Sequence, residues 1–210
     1  MSPLNQHLSR VYGAQDTDDL DRAYRDWAVD YDRDLAAAGY AYFQLVPAVI
    51  VRHVASDGRL FDAGVGTGRL GTFLRLLGYD DLTGVDHSAD MIAIARTTGA
   101  YHTLRQMDLG QPLDLPDDHF SATYTAGTFT TGHAPPHGFT ELARVTRPGG
   151  RLIVALTEVA RERDGFGAVL EQLTATRALE LVEQTPAFPV FPYDPDESDI
   201  QARIDVYEVV

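Results

Sequence analysis

Apolar positions recur along this 210-residue chain in two periods, one helical and one extended. Leu20, Tyr24, Trp27, Tyr31 and Leu35 stand at i, i+4, i+7, i+11 and i+15, which is one face of a helix. The Thr17 hydroxyl can cap that helix, with Asp18 and Asp19 in its first turn, and Gly39 stops it. Met1 to Asp16 reads as a partly ordered lead. Pro47 suits the start of a second helix running to about Ala55, with Val49, Ile50 and Val54 inward. Leu70, Phe73, Leu74 and Leu77 mark another helix. Ser88 can cap one over Ala89 to Thr98, which Gly99 ends. Two more are predicted over Phe139 to Val145 and Asp164 to Thr176.

The intervening apolar runs are short. Arg59 to Ala63, Leu82 to Asp86, Tyr101 to Met107, Phe120 to Ala126, Arg151 to Thr157, Leu179 to Val182 and Ile204 to Val210 read as seven strands. Strands that alternate with helices predict an α/β fold on a mostly parallel sheet. Arg147-Pro-Gly-Gly150 reads as a tight turn. The proline- and aromatic-rich segment from Thr185 to Ile200 is expected to stay extended. Its aromatics either line a substrate pocket or form the hairpin that covers the sheet edge.

Candidate chemistry concentrates in residues 59–71, where a buried strand runs into Asp62-Ala-Gly64-Val-Gly66-Thr-Gly68 and then a helix. Glycines permit positive φ and let a ligand approach the backbone, and a helix N-terminus favours negative charge. About 20 residues on, the next strand ends in Asp86, where a carboxylate can accept both hydroxyls of a ribose. The arrangement is a nucleoside-binding half-fold. Gly66-Thr-Gly68-Arg-Leu-Gly71 also fits the dinucleotide pattern, so a nicotinamide cofactor competes. Asp62 tips the balance, since a carboxylate there would repel a pyrophosphate and suits the cationic amino acid moiety of S-adenosylmethionine (SAM).

These residues resemble motif I of the class I SAM-dependent methyltransferases. Ala23-Tyr-Arg-Asp-Trp-Ala-Val-Asp-Tyr-Asp32, Thr83-Gly-Val-Asp-His-Ser-Ala-Asp-Met91, Gly132-His133 and Arg144-Val-Thr-Arg-Pro-Gly-Gly150 extend the likeness, in particular to the Williams–Beuren-region methyltransferase-like branch. The resemblance covers roughly residues 10–160 and implies a doubly wound, seven-stranded Rossmann-like sheet with N-terminal cover helices and a C-terminal antiparallel strand. One domain over residues 1–210 is expected, divided into a cover (1–56), a cofactor-binding core (57–160) and a C-terminal helix and hairpin (161–210).

The cofactor site it implies comprises Asp62, Gly64, Gly66, Gly68 and Asp86, with Met91, Asp108 and Leu109 toward the adenine and Ala126 at the end of the fourth strand. His87 is included as the neighbour of Asp86, with no chemistry of its own. Tyr31 is expected to reach the ligand from the cover helix. The loop after the fourth strand faces the transferred methyl with Thr128, Thr130, Thr131 and His133. His133 is the candidate base for the methyl acceptor. For Met91 and Asp108, a core methionine and a turn aspartate are the competing readings.

Composition narrows the partners. Net charge is 17 − 31 = −14, with no clustered arginines, which argues against nucleic acid or an anionic membrane and favours a small neutral or cationic acceptor. No apolar run has membrane-spanning length and no signal-peptide pattern opens the chain, so a soluble cytoplasmic protein is expected. There is no cysteine, hence no disulfide or thiolate chemistry. His133 and His137 are four apart, but Pro135-Pro136 between them forbids a helix, and no metal site is expected. The alternatives to a methyltransferase on a small O or N nucleophile are an NAD-linked oxidoreductase and a non-catalytic SAM-binding module.

Overall fold

The computed structural model describes residues 1–14, 17–130 and 132–210, and the side chains of Thr17, Asp18 and Asp21 lie outside that description. The expected cap at Thr17 and the loop residue Thr131 therefore lie outside the described residues. Four helices come first: α1 (Pro3–Tyr12), α2 (Thr17–Trp27), α3 (Tyr31–Ala37) and α4 (Tyr42–His53). Then follow β1 (Leu60–Ala63), α5 (Arg69–Leu76), β2 (Leu82–Asp86), α6 (Ala89–Thr97), β3 (Thr103–Gln106), β4 (Phe120–Ala126), α7 (Gly138–Val145) and β5 (Thr146–Thr157). The chain finishes with α8 (Glu158–Arg163), α9 (Phe166–Ala175), β6 (Leu179–Gln184), β7 (Phe188–Pro189) and β8 (Gln201–Val209).

The sheet order is β3-β2-β1-β4-β5-β8-β6, with the two-residue β7 also on β8. β1 to β5 pair in parallel, while β8 runs antiparallel between β5 and β6. Both faces of the central strands β1, β4, β5 and β8 are largely buried, and these strands divide their side chains with period two. Leu60 of β1, Ile153 of β5 and Ile204 of β8 pack with α1–α5 on one face. Phe61, Leu152, Val154 and Tyr207 pack with Phe139 and Phe166 on the other. α5 and α7 thus leave β1 and β4 toward opposite faces, which opens a crevice between these two strands.

Five expectations need correction. The lead is ordered as α1: Ser2 accepts from the Asn5 amide, Pro3 sits in the first turn, and Leu4, Leu8 and Val11 bury one face. The long cover helix is two helices, broken at Ala28–Asp30. The break brings the Trp27 indole N–H within 3.1 Å of the buried Asp34 carboxylate while keeping one apolar face. Pro47 lies inside α4 rather than at its start, so the helix begins at Tyr42 and forgoes one backbone bond. A short α8 precedes α9, capped by Thr157. Arg147 to Gly150 is taken up within β5, where a step from Phe120 to Ala122 answers one from Thr146 to Arg151. Gly149, at φ +74, makes that bulge.

Candidate active site

The crevice holds a cavity of about 400 Å³. Its floor is the loop between β1 and α5. Gly64 and Val65 both donate to the Val85 carbonyl at 2.9 Å, which binds the loop to β2. The alternating glycines divide the work. Gly64 has φ +103, and a Cβ there would fall 1.9 Å from Thr128 Oγ1. Gly68, the left-handed N-cap of α5, would press a Cβ to 3.1 Å from Ala95. Gly66, at φ +52, would meet no protein atom within 4 Å. Packing explains the first two. At Gly66 the open side faces the cavity, as a backbone kept clear for a ligand requires.

Asp86 ends β2 on the cavity wall. Its Oδ2 accepts from Gly66 N at 2.8 Å and its Oδ1 from Ser88 N at 2.9 Å. A carboxylate oxygen can accept two hydrogen bonds, so a group in this position can hold the loop and accept from a diol. Ser88 caps α6 through Met91 N, as expected. Met91 is buried and contributes to the wall. Asp108 lines the cavity and accepts from Gly110 N at 2.7 Å, the bond of a turn aspartate. His87, Leu109, Ala126, Tyr31 and His133 line the same cavity.

Two expected residues do not. Gly68 belongs to the packing beneath α5. Asp62 is 1% exposed, below the loop, and its Oδ2 accepts from Tyr101 at 2.6 Å and Tyr124 at 2.8 Å. Burial pushes its carboxyl up to about 7, against the two tyrosine hydroxyls, which stabilise the anion; the Asp86 charge adds to the rise. Asp62 therefore anchors the floor instead of facing a ligand.

Several contacts fasten the cover to the rest of the chain. Arg25 pairs with Asp90 of α6 at 3.0 Å, Thr67 of the glycine loop donates to Asp32 at 2.7 Å, and the Tyr24 hydroxyl lies 2.7 Å from His133 Nε2. The last contact was not legible in the sequence. Tyr24 shares the helical face of Tyr31, and only the fold shows it opposite residue 133. Burial holds the Tyr24 phenol well above its usual range, reinforced by Tyr31, Tyr12 and Asp86, so its hydroxyl keeps its proton at neutral pH. Thr128, from the same loop, lines the cavity too. His137 is 3.0 Å from the Gly110 carbonyl, and no group of three or more potential metal ligands occurs among the described residues.

A family model described as a methyltransferase domain matches residues 61–154. Human methyltransferase-like protein 27 is 34% identical over 161 residues, covering 73% of this chain and 64% of that protein. The match thus spans less than two thirds of that relative, and it supports the branch named from the sequence. The phosphatidylethanolamine N-methyltransferase of Cereibacter sphaeroides is 31% identical over 200 residues, covering 82% of this chain and 93% of the enzyme. Among solved structures, a SAM-dependent methyltransferase from Thermotoga maritima superposes with a TM-score of 0.63 at 21% identity, over 88% of this chain and 98% of that one. That likeness concerns the fold.

Proposed function

The chain belongs to the class I SAM-dependent methyltransferase family, and from that premise we propose that it methylates a small-molecule acceptor through a nitrogen or oxygen nucleophile. Its cofactor is S-adenosylmethionine, which supplies a methyl group already made electrophilic by a sulfonium. The residues present fit such a ligand. Asp86 would take the ribose hydroxyls, Gly64 and Gly66 would lie along the amino acid moiety, and Met91, Asp108 and Leu109 would enclose the adenine. Tyr31 and Ala126 would border the acceptor side. The whole chain would work as one domain, with the N-terminal helices excluding water.

The observation that carries the acceptor side is the Tyr24–His133 pair at 2.7 Å on the cavity wall. A protonated phenol can donate to an imidazole nitrogen that carries no proton. A proton that the acceptor gives to the Tyr24 oxygen can pass along that bond as the phenol's own proton moves to Nε2, and otherwise the pair orients the nucleophile. The net charge of −14, the absence of a basic cluster and the lack of any single helix able to cross a membrane among the described residues support a small, non-nucleic-acid substrate in the cytoplasm.

His133→Ala should lower kcat by about 10²–10⁴-fold and leave S-adenosylhomocysteine affinity nearly intact. Tyr24→Phe should show a smaller loss with the same affinity. Full turnover of His133→Ala on an accepted substrate would refute the assignment.

A further inference from the structure

A second, smaller chamber opens behind the cofactor cavity. Tyr24, Tyr31, Gly127 and His133 line both and form the doorway. The chamber itself is ringed by Trp27, Tyr40, Tyr42, Phe129 and Phe191, all buried, with Tyr12 at its rim. Its described lining contains no aspartate, glutamate, lysine or arginine. About 50 Å³ is open, room for roughly four water-sized groups.

Resting on the methyltransferase reading, we propose that this chamber is the acceptor subsite and that it takes a compact amine, held by aromatic ring faces, with its nitrogen at the doorway. Ring faces are negative, and several around one volume attract an ammonium or methylammonium group. The wall offers no cation to pair with a carboxylate or phosphate, so an anion entering would lose its hydration uncompensated. The overall charge of −14 draws cations to the mouth.

Three rings at the entrance touch one another: Trp27 and Tyr31 at 4.6 Å between centroids, Tyr24 and Trp27 at 6.4 Å, Tyr24 and Tyr31 at 6.3 Å. A second observation points to a ligand. Tyr42 is 1% exposed, and its hydroxyl has no hydrogen-bond partner. Buried hydroxyls ordinarily have one, and a polar tip on the acceptor would supply it. An aromatic cage without a carboxylate also suits methyl transfer. No carboxylate of the described lining fixes the ammonium charge in the chamber, so its proton can leave at the doorway, where Tyr24 and His133 stand. The N–H bond breaks, its electron pair stays on nitrogen as the nucleophilic lone pair, and the proton passes to the Tyr24 oxygen as the phenol's own proton moves to His133 Nε2.

The test uses the only tryptophan, Trp27, as the reporter of occupancy. The full chain, saturated with S-adenosylhomocysteine, is titrated with the four-heavy-atom amine ethanolamine, with its neutral isostere propan-1-ol and with the anion acetate. Ethanolamine should shift the emission and bind at least about 10-fold more tightly than the alcohol, with no response to the carboxylate. Tyr42→Phe should weaken ethanolamine several-fold with unchanged S-adenosylhomocysteine affinity. Equal or tighter binding of the alcohol, or no response to ethanolamine in protein that binds S-adenosylhomocysteine, overturns the amine chamber and leaves the methyltransferase reading intact. Failure to bind S-adenosylhomocysteine at all strikes that underlying reading instead.

Discussion

Replacing Gly66 by alanine separates folding from binding. Its φ of +52 lies in the left-handed region, where a Cβ costs about 1–2 kcal/mol. No protein atom lies within 4 Å of that Cβ, so no packing clash is added. Gly99 has φ +65 and equally open surroundings but lies outside the cavity, so Gly99→Ala carries the same backbone penalty. For a chain of this size each kcal/mol lowers Tm by about 2–4 °C, so both variants should melt about 2–8 °C below wild type. They should part company in binding. At position 66 the added methyl enters the cavity, and overfilling a packed site costs about 1–3 kcal/mol. That weakens S-adenosylhomocysteine by about 5–150-fold in Gly66→Ala and leaves Gly99→Ala like wild type. Differential scanning fluorimetry gives the first quantity and titration calorimetry the second. Equal affinity in the two variants would refute the claim that the glycine loop is kept clear for the cofactor.

Asp86→Ala strips the acceptor from both Gly66 N and Ser88 N, so it should fold with about 1–3 kcal/mol less stability by urea denaturation and bind S-adenosylhomocysteine about 1.5–3 kcal/mol more weakly; unchanged affinity in the folded variant would discard the ribose role. Asp62 carries a folded pKa of about 7 against an ordinary 3.8, so the folded state holds the extra proton between these values, and its stabilising contribution is present below pH 4 and lost as pH rises to about 7. Asp62→Asn should remove that dependence, worth up to about 4 kcal/mol, from urea midpoints measured between pH 4 and 8; parallel wild-type and variant profiles would contradict it.

Strand–glycine loop–helix–strand–Asp86 was legible in the sequence because each piece is local: a buried run, an alternation of glycines, a capping Ser88. The same locality placed β2 and β4 to the residue. What escaped depends on tertiary geometry. Asp62 looked ligand-facing because it precedes the glycines, yet β1 alternates its side chains, and position 62 points into the face where Tyr101 and Tyr124 wait. Tyr24 lies 109 residues from His133, and no periodicity links them. In the proline- and aromatic-rich segment, Phe188–Pro189 pairs with β8, a strand inside the sheet and not at its edge, and Phe191 lines the inner chamber. The α2–α3 break escaped because the apolar face continues across it.

The central claim is that the glycine loop and Asp86 bind an adenosyl cofactor. Titration calorimetry of the wild-type chain with S-adenosylhomocysteine, and in parallel with NAD and NADP, tests it most directly. A saturable heat with S-adenosylhomocysteine alone is the predicted result; binding of NAD with no response to S-adenosylhomocysteine would contradict it.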